Sequence, residues 1–137
     1  MKIALIVALL TLLGLNINMA FSAQSLMQPD WSLALLLACL LAHRLSWFWV
    51  LPLMLLHDVV LYWSPASSFV MMAVIPLAMR YFDQRIGVSL LHRLLLLLLG
   101  VLLMLFDGWP LQASLLTLCL SVPLWHLMAR QYAQQAA

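Results

Sequence analysis

The sequence predicts an all-α, polytopic integral membrane protein of about six transmembrane helices, with five spans as the alternative. Three observations predict it. Of 137 residues, 67% are apolar and only 7% are charged, whereas a soluble domain carries about 25% charged residues. The apolar residues fall in runs separated by polar or proline-bearing breaks, and several runs approach the ~20 residues needed to cross a hydrocarbon core. The six basic residues all fall at one end of the resulting spans, the pattern of a cytoplasmic face.

The first run, Ile3–Ser22, follows Lys2. It resembles a secretory leader, with small residues near Ala20 and Ser22, but its long apolar core reads better as a retained first span. Asn16 and Asn18 then sit near the outer interface. The remaining runs are Trp31–His43, Ser46–Trp63, Ser67–Arg80, Val88–Phe106 and Leu111–Arg130. The second and fourth are short for a full crossing, so they must be helped by interfacial residues, thin the bilayer or be partly re-entrant.

With the N-terminus inside, Lys2, Arg44, Arg80, Arg85, Arg93 and Arg130 lie in or beside inside segments, while Asp30 and Asp107 lie outside. This places both termini on the cytoplasmic side. Pro29, Pro65 and Pro110 fall in the three outside loops, and Pro52, Pro76 and Pro123 lie within spans, where a kink is expected. Trp31, Trp63 and Trp109 mark the outer interface; Trp47, Trp49 and Trp125 lie nearer the inner one. The stretch Arg80–Gly87 reads as an inside turn whose Asp83 balances Arg80 or Arg85, and the tail from Arg130 as a frayed helix end. Loops this short leave no extramembrane domain, so residues 1–137 form a single transmembrane helical domain.

A net charge of +2 with dispersed basic residues argues against nucleic-acid binding. Cys39 and Cys119 sit within apolar runs and read as small buried hydrophobes. No metal-ligand spacing, phosphate loop or nucleophile elbow occurs, so no cofactor or metal is assigned and the chain is not read as an enzyme.

The polar exceptions carry the interest. His57 and Asp58 interrupt the third span; Asp58 lies about five residues, roughly 7–8 Å, short of the outer end. Three roles suit it: reaching headgroups, tying one helix to another, or relaying a proton or ion. Helix contact is preferred, because a relay needs several polar groups in line. Tyr62, one turn on, is a local partner on the same face, and His57 points about 100° away toward a different neighbour. His43 and Arg44 mark a tight inside turn, with Arg80, Arg85 and Arg93 as further basic candidates for headgroup or partner contact. Ala34, Ala38 and Ala42 form a small-residue stripe for close helix packing, with Gly100 playing that part in the fifth span.

The stretch Gln28–Trp63, with Pro29, Asp30, Trp31, His43, Arg44 and Asp58 in order, resembles the rod shape-determining MreD family of bacterial inner-membrane proteins. Val122–Gln135 is similar to that family's aromatic, basic, Gln-rich last helix. The family's usual glycines before the intramembrane Asp and in the next loop are missing from Leu51–Leu56 and Ser64–Ser68. The resemblance implies a multi-pass scaffold of the cell-wall elongation machinery. Its partners would be an MreC-like bitopic protein and, indirectly, MreB-like filaments and peptidoglycan synthases. The alternative is a small membrane transporter or substrate-capturing subunit, with a pocket opening outward near Asp58 and Tyr62. A membrane enzyme would need more convergent polar groups than His57, Asp58 and Tyr62.

Overall fold

A computed structural model describes residues 2–22, 27–64, 67–87, 89–106 and 108–136. They form six helices: α1 (Lys2–Ser22), α2 (Trp31–Ala42), α3 (Trp47–Tyr62), α4 (Ser67–Arg85), α5 (Leu90–Phe106) and α6 (Leu111–Ala136), with a 3-10 turn over Arg44–Ser46 before α3. Pro65 and Asp107 lie outside the described residues, as do the side chains of Lys2 and Arg44.

Helix ends follow local chemistry. Asp30 caps α2, its side chain accepting the Leu33 N–H. Gly108 (φ 84°) ends α5. Its N–H bonds the Leu105 carbonyl while the Trp109 N–H reaches back to Met104 (both 3.1 Å), a Schellman arrangement that needs a left-handed residue. Trp63 closes α3 in that same left-handed conformation (φ 57°), at a cost of about 1–2 kcal/mol for a residue with a Cβ. Pro52, Pro76 and Pro123 lie inside α3, α4 and α6.

Two expected boundaries move. α4 runs on to Arg85, so Arg80–Arg85 is helix rather than turn, and α6 runs to Ala136 through the segment expected to fray. Both extensions are polar, and hydropathy carries no information on helicity once a segment leaves an apolar run; Arg, Gln and Ala are good helix formers. α4 is therefore not short, at 19 residues.

α2 is the centre of the bundle. It packs against α6 most extensively, then α1, and also meets α3 and α4; α3, α4, α5 and α6 each pack against the next in turn. Ten of the twelve α2 residues, Ser32 to Leu41, are buried. Ala34 and Ala38 are fully buried within it, whereas Ala42 at its end is partly exposed. The backbones of α1 and α2 approach so closely that a Cβ on Gly14 would stand 3.1 Å from the Ser32 nitrogen. Cys39 is buried, but Cys119 is exposed on α6, which corrects the reading of both thiols as buried.

Among the described residues, two helices are long and apolar enough to cross a membrane, α1 over Ile3–Ser22 and α6 over Leu111–Gln134; α2, α3 and α5 are shorter apolar helices. The outward faces are rich in leucine: Leu5, Leu9, Leu13, Leu90, Leu91, Leu95 and Leu115 are all exposed. Asn18, Asp30, Ser32, His57, Asp58 and Thr117 are instead buried.

Candidate functional site: a buried carboxylate–imidazole–carboxylate cluster

The buried polar residues converge at the end of the bundle where α1 finishes and α2, α4 and α6 begin. His57 lies at its centre. Its Nε2 is 2.8 Å from Asp30 Oδ2 and its Nδ1 is 2.9 Å from Asp58 Oδ1. The side chains of His57 and both aspartates are essentially inaccessible, at 1%, 0% and 0% for the imidazole and the two carboxylates. A neutral imidazole can donate from one nitrogen only, so contact with two ionised carboxylates requires it to donate from both, as an imidazolium.

Each carboxylate also serves a helix. Asp30 Oδ1 accepts from the Leu33 N–H at 2.9 Å in the first turn of α2. The same oxygen accepts from Ser32 Oγ at 2.8 Å and Asn18 Nδ2 at 2.7 Å. Asp58 Oδ2 accepts from the Phe69 N–H at 3.0 Å, in the first turn of α4. Asn18 draws in α1: its Oδ1 accepts the Trp31 N–H at 3.2 Å and its Nδ2 also donates to Ser32 Oγ at 2.9 Å. α6 enters through Thr117, whose Oγ1 accepts the Asp30 N–H at 2.9 Å and donates to the Ala113 carbonyl at 2.8 Å. Five helices thus meet in one hydrogen-bonded cluster.

Burial, the largest single influence on Asp30, pushes its carboxyl up. The charge of His57 and the hydrogen bonds from His57, Leu33 and Ser32 together outweigh that and hold it below its ordinary value of 3.8.

Of the residues singled out in the sequence, the structure brings His57 and Asp58 into this cluster. They bond to each other, so the view that His57 serves only a different neighbour is corrected; it serves both. The Tyr62 ring meets His57 edge-on at 6.2 Å and Trp109 at 6.4 Å, at the cluster's rim. Asp30 and Asn18 are expected only as outside-loop and outer-interface residues, and Ser32 and Thr117 are not singled out at all. The detectable signal was Asp30 just ahead of an apolar run, a helix N-cap pattern, and the exceptional polarity of Asn18 in α1. Asn18 is buried rather than interfacial, whereas Asn16 is exposed.

An outward cleft of about 590 Å³ reaches this end of the bundle, lined by Asn18, Gln28, Asp30, Tyr62 and Trp109 among others. Gln28 Nε2 donates to the Asn18 carbonyl at 3.0 Å, while its buried Oε1 has no described partner.

The basic residues lie at the opposite end and do not form one site. His43 stacks on Tyr132, with ring centroids 4.8 Å apart, beside the turn that carries Arg44. Arg93 pairs with Asp83 at 2.8 and 3.1 Å, tying α5 to α4. Asp83 was expected to balance Arg80 or Arg85; the reach between adjacent antiparallel helices favours Arg93 instead. Arg85 lies over the Tyr81 ring at 5.7 Å, and Arg80 is exposed. Gly100 lines an apolar groove of about 280 Å³ between α4 and α5.

No protein-family model, curated protein or solved structure matches the chain.

Proposed function

We propose that the chain is a six-span protein of the bacterial inner membrane, with both termini cytoplasmic, that acts as a non-enzymatic scaffold. The observation that carries this reading is the distribution of polarity: leucines face outward while a hydrogen-bonded aspartate–histidine cluster occupies the interior. Water would favour the reverse, whereas lipid tolerates ionisable groups only when they face the bundle interior and are partnered. The short α2 fits the same view, since a helix too short to span is tolerated where protein surrounds it. Arg80, Arg85, Arg93 and Arg130 at the end opposite the cluster support the orientation.

The carboxylate oxygens that meet His57, Leu33 and Phe69 bind helix to helix. This use of polar groups supports a scaffold. The resemblance to the rod shape-determining MreD family names its setting: wall elongation, with an MreC-like bitopic partner and, through it, MreB-like filaments and peptidoglycan synthases. The test is depletion in the native bacterium with cell width and length measured by microscopy. Rounding or bulging of rods, reversed by re-expression, is the expected result.

One observation favours the second reading, a substrate-capturing transporter subunit. The outward cleft is lined by Gln28, Tyr62 and Trp109, and the buried Gln28 Oε1 has no hydrogen-bond partner among the described residues. Unchanged cell shape with a nutrient-dependent growth defect would select it.

A further inference from the structure

At the end opposite the aspartate–histidine cluster, the α2–α3 connection and α4 enclose a second cleft, of about 560 Å³. Its walls change character along its length. Gln84 and Arg80 line it at the polar end of α4; Leu77 and Ala73 line it about one and two turns further from that end, with Trp47 and then Leu51 contributed by α3. From Arg80 to Ala73 the helix descends about 10 Å. A cation and an amide donor over an apolar slot match the amphipathy of one phospholipid.

The charge balance selects the headgroup. Asp83 is the acidic residue of this end, and it is spent on Arg93. Arg80 makes no hydrogen bond or ion pair among the described residues and is exposed. An unpaired guanidinium offers two parallel donors to a phosphate, and Gln84 adds a third one turn away. Trp47, 38% exposed, has the amphipathic ring that settles at the boundary between headgroups and chains.

We propose that this cleft binds one anionic phospholipid of the inner leaflet, its phosphodiester on Arg80 and Gln84 and an acyl chain against Leu51, Ala73 and Leu77. The proposal rests on the membrane reading above. It does not depend on the wall-elongation role. An acidic peptide would use Arg80 equally but has no need of the apolar slot, so the lipid is the better fit.

The test is native mass spectrometry of the full chain in neutral detergent micelles, titrated with phosphatidylglycerol, phosphatidylcholine or inorganic phosphate. The expected result is one retained phosphatidylglycerol in preference to phosphatidylcholine. Arg80→Gln should weaken that binding about fivefold, the share of one juxtamembrane cation, while Arg85→Gln retains it. Equal retention of both lipids would overturn the proposal. So would equal losses in the two variants, which would mean diffuse surface charge, or displacement of the lipid by equimolar phosphate, which would mean a plain anion site. A chain that needs detergent yet shows no lipid preference would leave the membrane reading standing and remove only this one. A chain that purifies without detergent would remove the membrane reading, and this proposal with it.

Discussion

Replacing His57 by leucine separates two accounts of the buried cluster. The substitution removes two contacts, at 2.8 Å to Asp30 and 2.9 Å to Asp58. If these were ordinary neutral hydrogen bonds, one within α3 and one across to the start of α2, each would contribute about 0.6 kcal/mol, and the loss would come to little more than 1 kcal/mol. If the imidazolium holds two carboxylates, its removal leaves buried negative charge without its counter-charge, which costs about 3–5 kcal/mol. Both aspartates are sealed from solvent and cannot rehydrate without opening the bundle, so the larger figure is expected. That corresponds to an unfolding constant raised by about two to four decades.

The assay is equilibrium unfolding in mixed micelles of neutral detergent and dodecyl sulfate, followed by far-ultraviolet circular dichroism. A loss of about 1 kcal/mol or less for His57→Leu would refute the charged clamp. The double variant His57→Leu with Asp58→Asn supplies an internal check. If the damage is an orphaned carboxylate, neutralising Asp58 recovers part of it, and the two effects fail to add.

Other perturbations bear on the same cluster. Asp58→Leu should weaken the fold more than Asp58→Asn, because Asn keeps an acceptor for the Phe69 N–H at the start of α4; the cap alone accounts for about 1 kcal/mol, and equal losses would mean that the carboxylate ties nothing. Gly14→Leu should cost about 1–3 kcal/mol by overpacking, since a Cβ there already crowds the Ser32 backbone; an unchanged midpoint would mean that α1 is free to move off α2. For acid, the sign follows from Asp30, whose carboxyl is held below 3.8 in the fold. Its contribution is present above that unfolded value and is lost as pH falls through the lower folded one. The thermal midpoint in detergent should therefore drop below about pH 4, and Asp30→Asn should flatten that part of the profile.

How far these features could be read from the chain depended on sequence separation. The helices announce themselves because an apolar run and a polar break are both local. The ends of α4 and α6 did not, because Arg80–Arg85 and Gln131–Ala136 are polar segments whose helicity hydropathy cannot report. His57 and Asp58 stood out as ionisable groups in an apolar run, but Asp30, 27 residues from His57, read as a loop residue. Thr117 is 87 residues from Asp30 and looks like any hydroxyl in an apolar helix. Helical spacing puts Tyr62 on the face of Asp58. Its ring, however, meets His57 and Trp109, because ring direction depends on neighbours that spacing does not specify.

The position of the cluster within the bundle explains how so many ionisable groups can be buried together. Two aspartates carry two negative charges, and His57 returns one positive charge. Part of the negative charge is met by the backbone: Asp30 caps α2, and Asp58, on α3, accepts from the first turn of α4, and each helix N-terminus presents about half a positive charge. The C-terminal ends of α1 and α3, which close at the same end of the bundle, offset part of that, so His57 is needed as well. The same arrangement satisfies a first-turn N–H of each helix, one of the groups that find no partner within the helix itself. The carboxylates thus need the helix starts as much as the helix starts need the carboxylates. Histidine is the one side chain that can link both pairs while donating in two directions across a single flat ring. Moving a proton out of this arrangement would unbalance two helix ends at once, which is why the cluster supports a fixed joint between helices rather than a relay.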